Sequence, residues 1–241
     1  RRRRCSCRRR RHRRRRRAPR RRAPCCCSER RSHRGAKVHD THDMRARNEG
    51  IKYIQSHGYA FIVILDSDDQ NYPNRLTKQR AYLLNNPNVG LVGSSIECVD
   101  EKGQFLHFEY QKTAIEDIKK GMRKNSMVPH PTFFYRVEVI ETVGGYNPNY
   151  HTTEDFDLLY RVIKHYDIAN IAEPLVKYTI NPNSLYTKKR RTQVKNRLRI
   201  LLANHDGSLW ATYGILRNIP LYFLSRNMAN RIKKLVGYQQ N

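Results

Sequence analysis

A chain of 241 residues is long enough to bury a real core, and its net charge of +27, taken whole, reads as that of a nucleic-acid binder. The distribution of that charge excludes the reading for the body of the chain. Residues 1–34 hold 19 Lys and Arg against one acid, residues 188–241 hold 12 against one, and residues 35–187 carry 17 against 19. A near-neutral body has no basic face of the size that tracks a phosphate backbone.

Residues 1–34 contain no Leu, Ile, Val, Phe, Met, Trp or Tyr, so they have nothing to bury and cannot fold alone. Five of the six cysteines lie there and Cys98 stands alone in the body. That leaves no disulfide framework and points to a reducing compartment. "CSC" and "CCC" lack the spacing of paired zinc knuckles. A protamine-like arm coating nucleic acid fits the charge. The composition reads better as translated non-coding or out-of-frame sequence joined to a genuine domain, and the expected extent of this segment is 1–43. No continuous apolar region follows the charges, as a signal peptide would require.

From there the elements follow in order. "ARNEGIKYIQSHG" places Ile51 and Ile54 at helical spacing, with Gly58 to stop the helix. "FIVIL", residues 61–65, reads as a strand buried on both faces, inside a parallel sheet with "VGLVGSSI" as one neighbour. A helix is expected from about Pro73 to Asn86, then a strand "VGLVGSSIECV", a turn "DEKG" and a returning strand "QFLHFEY". Thr113 and Glu116 form a capping box for a helix "TAIEDIKKGM". "HPTFFYR" reads as a brief strand, "VEVIETVGGY" as a helix closed by glycines, and "TTEDFDLLYRVIKHY" as an amphipathic helix capped by Thr153 with Phe156, Leu159, Val162 and Ile163 inward. "DIANI" and "PLVKYTI" supply two more short strands. The alternation gives an α/β domain over residues 44–187.

Chemistry concentrates in two acidic clusters. Asp66, Asp68 and Asp69 stand where the "FIVIL" strand ends, the place where ligands bind in open α/β sheets. Carboxylates this close repel unless a cation, donors or water relieve them. A divalent metal is one reading, and an Asx-turn or helix cap is the other. A calcium loop is excluded, because counting from Asp66 the sixth residue is Asn71 and the twelfth is Thr77. Glu154, Asp155 and Asp157 fall in the first turn of a helix, where the dipole favours acids. Glu154 and Asp157 share a face, whereas Asp155 is free to meet a ligand. One cluster can hold a metal on a diphosphate leaving group while the other supplies a general base, which are the two parts that sugar transfer from a nucleotide-sugar needs.

"ARNEGI", "ILDSDD" with "YPNRLTKQ", "NPNVGLVGS", "HPTFFYR", "VGGYNP", "EDFDLLYRV" and "IAEPLVKY" occur in series over residues 46–178. In that order they resemble the family 2 glycosyltransferases, which have the GT-A fold of nucleotide-sugar transferases. The resemblance implies a GT-A-like mixed sheet flanked by helices and an inverting enzyme of cell-surface polysaccharide synthesis. It implies a nucleotide-sugar donor, a glycan or lipid-linked acceptor, and Mn2+ or Mg2+. Asp66 and Asp68 match the D-x-D positions on ribose and metal, with Asp69 adjacent. Asp155, in the "ED" pair with Glu154, matches the catalytic base. Arg47 and Asn48 match a segment near the nucleotide, and His130 a position near donor and acceptor. Gly144 and Gly145 match the loop where a small residue leaves room for the acceptor. For His130 a simple turn residue between Pro129 and Pro131 is the alternative. The family's two opening strands, which bind the nucleotide base, have no counterpart here, so an N-terminally truncated domain is expected.

Residues 188–241 form a basic, helical C-terminal tail. Arg217 and Pro220 interrupt its apolar runs, so neither approaches a bilayer span. Basic residues beside Trp210, Tyr213, Tyr222 and Phe223 suit an interfacial helix on anionic lipid. A helical appendage packed on the domain fits equally. The expected location is cytoplasmic, or peripheral at the inner face of the membrane, with no specific nucleic-acid partner. A non-catalytic remnant or binding module of the same fold, and nucleic-acid binding by the Arg-rich arm, are the alternative functions.

Overall fold

The structure, a computed structural model, describes residues 41–181 and 189–223. The Arg/Cys-rich arm to residue 40, with its zinc and nucleic-acid readings, and the end of the tail from residue 224 lie outside the described residues. The described elements are helices and a mixed sheet, the expected α/β class. Helix α1 (Thr41–Ser56) ends at Gly58, which takes φ +67°. Strand β1 (Phe61–Val63) leads through the acidic turn to β2 (Gln70–Asn71) and α2 (Arg75–Asn85). Strands β3 (Val89–Val99) and β4 (Phe105–Glu109) form the expected hairpin, in which Cys98 faces His107. Helix α3 (Ile115–Met122) follows, then a 3-10 turn at His130–Thr132, β5 (Phe134–Arg136) and α4 (Val137–Val143). Helix α5 (Glu154–Val162), β6 (Asp167–Thr179), α6 (Arg190–Ala203) and α7 (Leu209–Phe223) complete the order.

The six strands run β1-β5-β3-β6-β2, with β4 also pairing β3. Every residue of β3 is buried, because it lies between antiparallel β5 and β4 on one side and parallel β6 on the other. The main core gathers Ile62, Leu91, Phe133, Tyr135, Leu159 and Ile168, and α6 adds Ile200 and Leu201 to it.

Four local expectations are corrected. Strand "FIVIL" is not buried on both faces: Ile62 and Ile64 point inward, while Val63 and Leu65 are 36% and 44% exposed. Side chains alternate along a strand, so an unbroken apolar run over-reads burial when one face is open. Nor does β3 adjoin it. Among the described residues β1 pairs only with β5, which inserts between the two. "DIANI" and "PLVKYTI" are one strand, β6, whose register against β3 slips around Pro174, and that irregularity absorbs the missing N–H. Finally, neither expected threonine cap forms. Helix α3 is preceded by Ala114 with no side-chain cap, and the Thr153 hydroxyl donates to the Tyr150 carbonyl.

Candidate active site

The acidic turn is built from beneath by an arginine. Arg75, at the start of α2, is wholly buried and donates to the Ile64 carbonyl (2.9 Å), the Phe133 carbonyl (3.3 Å), Asn71 Oδ1 and Gln79 Oε1 (2.9 Å). Gln79, one turn on, donates to the carbonyls of Val92 and Thr132. Together they tie the ends of β1 and β5 to β3, below Asp66. Burial lowers the Arg75 guanidinium to about 10. Neither residue was singled out from sequence. The signal was present, since Arg75, Gln79 and Leu83 recur every four residues on the face that α2 buries.

The three carboxylates of the turn have different fates. Asp69 is buried; its Oδ1 accepts from the Thr179 N–H at 2.9 Å, and its Oδ2 has no hydrogen-bond partner among the described residues. Burial, with the charges of Asp68 and Asp66, raises its carboxyl to about 6 against the pull of that N–H. Asp68 is exposed, and its carbonyl accepts from the Thr179 hydroxyl at 2.6 Å. Asp66 takes the Arg47 guanidinium at 2.7 Å and faces His130 Nδ1 at 3.8 Å. Burial opposes its ionisation, yet His130 and Arg47 together outweigh it and hold the carboxyl at about 2.

Arg47 also approaches Glu154 Oε1 at 3.7 Å, so one side chain of α1 joins the two acidic clusters. Burial raises the Glu154 carboxyl, with the Asp155 charge adding to it. Asp157 is stapled differently. It accepts from Arg161 at 2.8 and 2.9 Å, and Arg161 donates its remaining N–H groups to the carbonyls of Val143, Gly144 (3.2 Å) and Gly145 (2.9 Å). Asp155 lies half-buried between these two, and its carboxylate makes no hydrogen bond among the described residues. The preceding loop carries Thr152 at φ +72°, a left-handed conformation that a β-branched residue adopts only when its surroundings force it.

Asn48 and the glycine pair form a clamp. Asn48 donates to the Tyr146 carbonyl at 2.9 Å and accepts from the Tyr146 N–H at 2.8 Å. A Cβ on Gly145 would stand 2.6 Å from Asn48 Oδ1, so the space a small residue leaves there is filled by the Asn48 amide. Gly144, at φ +77°, ends α4. The clamp sets Tyr146, which sequence reasoning passed over. Its hydroxyl lies 3.0 Å from His130 Nε2, and Arg47 sits 5.9 Å above its ring. Asp66, His130, Tyr146, Arg47 and Glu154 are therefore one contiguous polar cluster.

The oxygen chemistry of the turn fits a divalent cation held by one or two carboxylates together with phosphate oxygens. Asp66 and Asp68 offer the carboxylates, and Asp69 adds a buried oxygen with no hydrogen-bond partner among the described residues. A three-carboxylate cage is not what forms. Among the described residues the one His/Cys/Asp/Glu trio whose ligand atoms lie within 4.8 Å of one another is Cys98, His107 and Glu109 on the β3–β4 hairpin. There burial, with the Glu109 and Asp69 charges, pushes the thiol up to about 11.

Comparison with known proteins agrees with the motifs. Residues 39–144 match the model of glycosyl transferase family 2. An uncharacterized glycosyltransferase of Methanocaldococcus jannaschii is 29% identical over 150 residues, covering 61% of this chain and 50% of that protein. The O-antigen biosynthesis glycosyltransferase WbnJ of Escherichia coli is 32% identical over 129 residues, covering 52% of this chain and 50% of WbnJ. The amylovoran biosynthesis glycosyltransferase AmsE of Erwinia amylovora is 27% identical over 185 residues, covering 76% and 66%. This chain thus spans about half the length of the first two relatives. Among solved structures, Staphylococcus aureus TarS 1–349 aligns with a TM-score of 0.45 at 13% identity, over 83% of this chain and 64% of TarS. The mannosyltransferase PcManGT of Pyrobaculum calidifontis, in complex with GDP-Man and Mn2+, aligns with 0.42 at 15%, over 79% and 59%.

Proposed function

We propose, from the match of residues 39–144 to the model of glycosyl transferase family 2, that the chain transfers a sugar from a nucleotide-diphospho-sugar to a glycan or lipid-linked acceptor, with inversion, in cell-surface polysaccharide synthesis. The observation that carries the reading is the Arg47 bridge between Asp66 and Glu154, which brings the two acidic clusters into one site, with Asp155 beside it and without a hydrogen-bond partner among the described residues. Asp66 and Asp68 would hold a divalent cation, Mn2+ or Mg2+, which would supply charge neutralisation for the diphosphate.

Each residue then has a defined task. Asp155 accepts the proton of the acceptor hydroxyl as its oxygen forms the new bond to the anomeric carbon. The bond from that carbon to the diphosphate breaks on the opposite side, which inverts the centre. Arg47 and His130 keep Asp66 ionised, and the Arg47 guanidinium favours the anionic donor. The Asn48 clamp and the Asp157–Arg161 staple fix the loop that enters α5, and so fix the position of the base.

A non-catalytic binding module of the same fold is a second reading, favoured by the exposed Val63 at the end of β1 and the exposed Leu65 just beyond it. One substitution separates the two. Asp155→Asn keeps the shape and removes the proton acceptor, so turnover should fall about 100- to 10,000-fold while nucleoside diphosphate binding in Mn2+ is unchanged. Binding with no turnover even in the unsubstituted chain would favour the binding module, and equal activity in mutant and parent would remove Asp155 from the mechanism.

A further inference from the structure

Helix α7 is seated inside out. Its buried positions are Ala211, Gly214 and Asn218, whereas Leu209, Trp210, Tyr213, Leu216, Ile219 and Phe223 are exposed, with Leu209 at 87%, Leu216 at 60% and Phe223 at 74%. A helix free to rotate about its axis in water would bury the second set. This one is locked. A Cβ on Gly214 would stand 1.8 Å from the Arg123 carbonyl oxygen, so only glycine permits the approach. Asn218 donates to the Lys124 carbonyl at 3.0 Å and to the Gly214 carbonyl at 2.7 Å, and the Arg123–Asp206 pair at 2.6 Å pins the loop before α7. The apolar face is thus held outward by specific polar bonds.

Beside it lies a cavity of about 550 Å³ that presents Lys112, Lys120, Lys124 and Arg217 against a single carboxylate, Asp117. The Lys124 ammonium sits 4.7 Å from the Trp210 ring centre and 5.2 Å from that of Tyr213, so the cations and the apolar face are continuous. Among the described residues no helix is long and apolar enough to cross a membrane. A contiguous apolar face on a soluble surface marks an interaction site. The charge beside it selects the occupant. A second copy of this chain on the same face would bring two sets of cations together, whereas a bilayer rich in lipid phosphate offers both an apolar interior and the opposite charge.

We propose that the outward face of α7, with the basic cavity beside it, docks on an anionic phospholipid surface. The aliphatic and aromatic side chains enter the headgroup region, and the lysines and Arg217 meet lipid phosphates. The site is separate from the acidic cluster, and the proposal stands without the transferase reading.

Trp210 is the only tryptophan in the chain, so its emission reports this face alone. The full chain is mixed with vesicles of phosphatidylcholine, or of phosphatidylcholine with phosphatidylglycerol, and sedimentation and Trp210 emission are read together. The phosphatidylglycerol vesicles should sediment the protein and shift the emission to the blue, and pure phosphatidylcholine should bind it far less. Leu209→Ser/Leu216→Ser alters exposed positions, so it should leave the circular dichroism unchanged, abolish the blue shift and weaken vesicle binding at least about tenfold. Lys120→Gln/Lys124→Gln should weaken it about fivefold per charge removed. Sedimentation with unmoved Trp210 emission, or full binding by the leucine variant, would overturn the proposal and assign the binding to other basic stretches. Self-association in the absence of vesicles that the leucine variant abolishes would overturn it in favour of a second copy.

Discussion

The two acidic clusters are alike in sequence, each with three carboxylates among four residues, and unlike in how the fold treats them. In the turn after β1 the acids are sorted by depth: Asp69 is buried and bonded to β6, Asp68 is exposed, and Asp66 lies between them on Arg47. At the start of α5 they are sorted by partner: Asp157 belongs to Arg161, Glu154 leans on Arg47, and Asp155 is left over. Reactivity within such a cluster is decided by which carboxylate the rest of the chain leaves unsatisfied. The turn also depends on a buried cation beneath it, whereas the α5 cluster depends on a clamp from α1.

The largest effect on that contrast should come from Arg75→Met. The change keeps the bulk but strips the Ile64 carbonyl of its side-chain donor, leaves the Phe133 carbonyl with the Ile64 N–H, and should cost about 3 kcal/mol of unfolding free energy in urea titrations. A loss below about 1 kcal/mol would mean the turn is not supported from beneath. Asp68→Ala should come next. It should weaken nucleoside diphosphate binding in Mn2+ roughly tenfold, change nothing in chelator and leave the melting temperature in place. Asp69→Asn, which keeps the Thr179 N–H bond, should change that affinity little. If the two exchange behaviours in calorimetry, the sorting by depth is wrong.

A smaller effect tests the clamp. Gly145→Ala should destabilise by about 1–2 kcal/mol, because the new Cβ meets the Asn48 amide. Asn48→Ala removes that obstacle, so the double variant should lose less than the sum of the single changes, a coupling that a thermodynamic cycle measures. Strict additivity would separate Gly145 from Asn48.

Much was legible from the sequence because it depends on neighbours along the chain. The β3 strand, residues 89–99, is a largely apolar run, broken by Ser94, Ser95 and Glu97, between Asn-Pro-Asn and a turn, and both of its ends could be read. Helix α5 shows in its spacing part of the face it buries, Phe156, Leu159 and Val162, and the carboxylates of both clusters are plain in the text. Periodicity and turn chemistry are local, so they survive without the fold.

Tertiary structure decided the rest, for a common reason: a polar side chain or a strand edge chooses a partner by position in space. Arg47 meets Asp66 across 19 residues, and Asn48 meets Tyr146 across 98. Thr113 and Thr153 carry the chemistry of caps, yet α3 has no side-chain cap and the Thr153 hydroxyl is spent on a carbonyl three residues back. Strand β5, not β3, neighbours β1, and β6 runs through a proline that by local rules should divide it. On α7 the sequence shows apolar residues at helical spacing and nothing about which way they face. That was settled by Gly214 against the Arg123 carbonyl and by Asn218 on the Lys124 carbonyl, a close approach and a hydrogen bond that exist only once α3 and α7 have met.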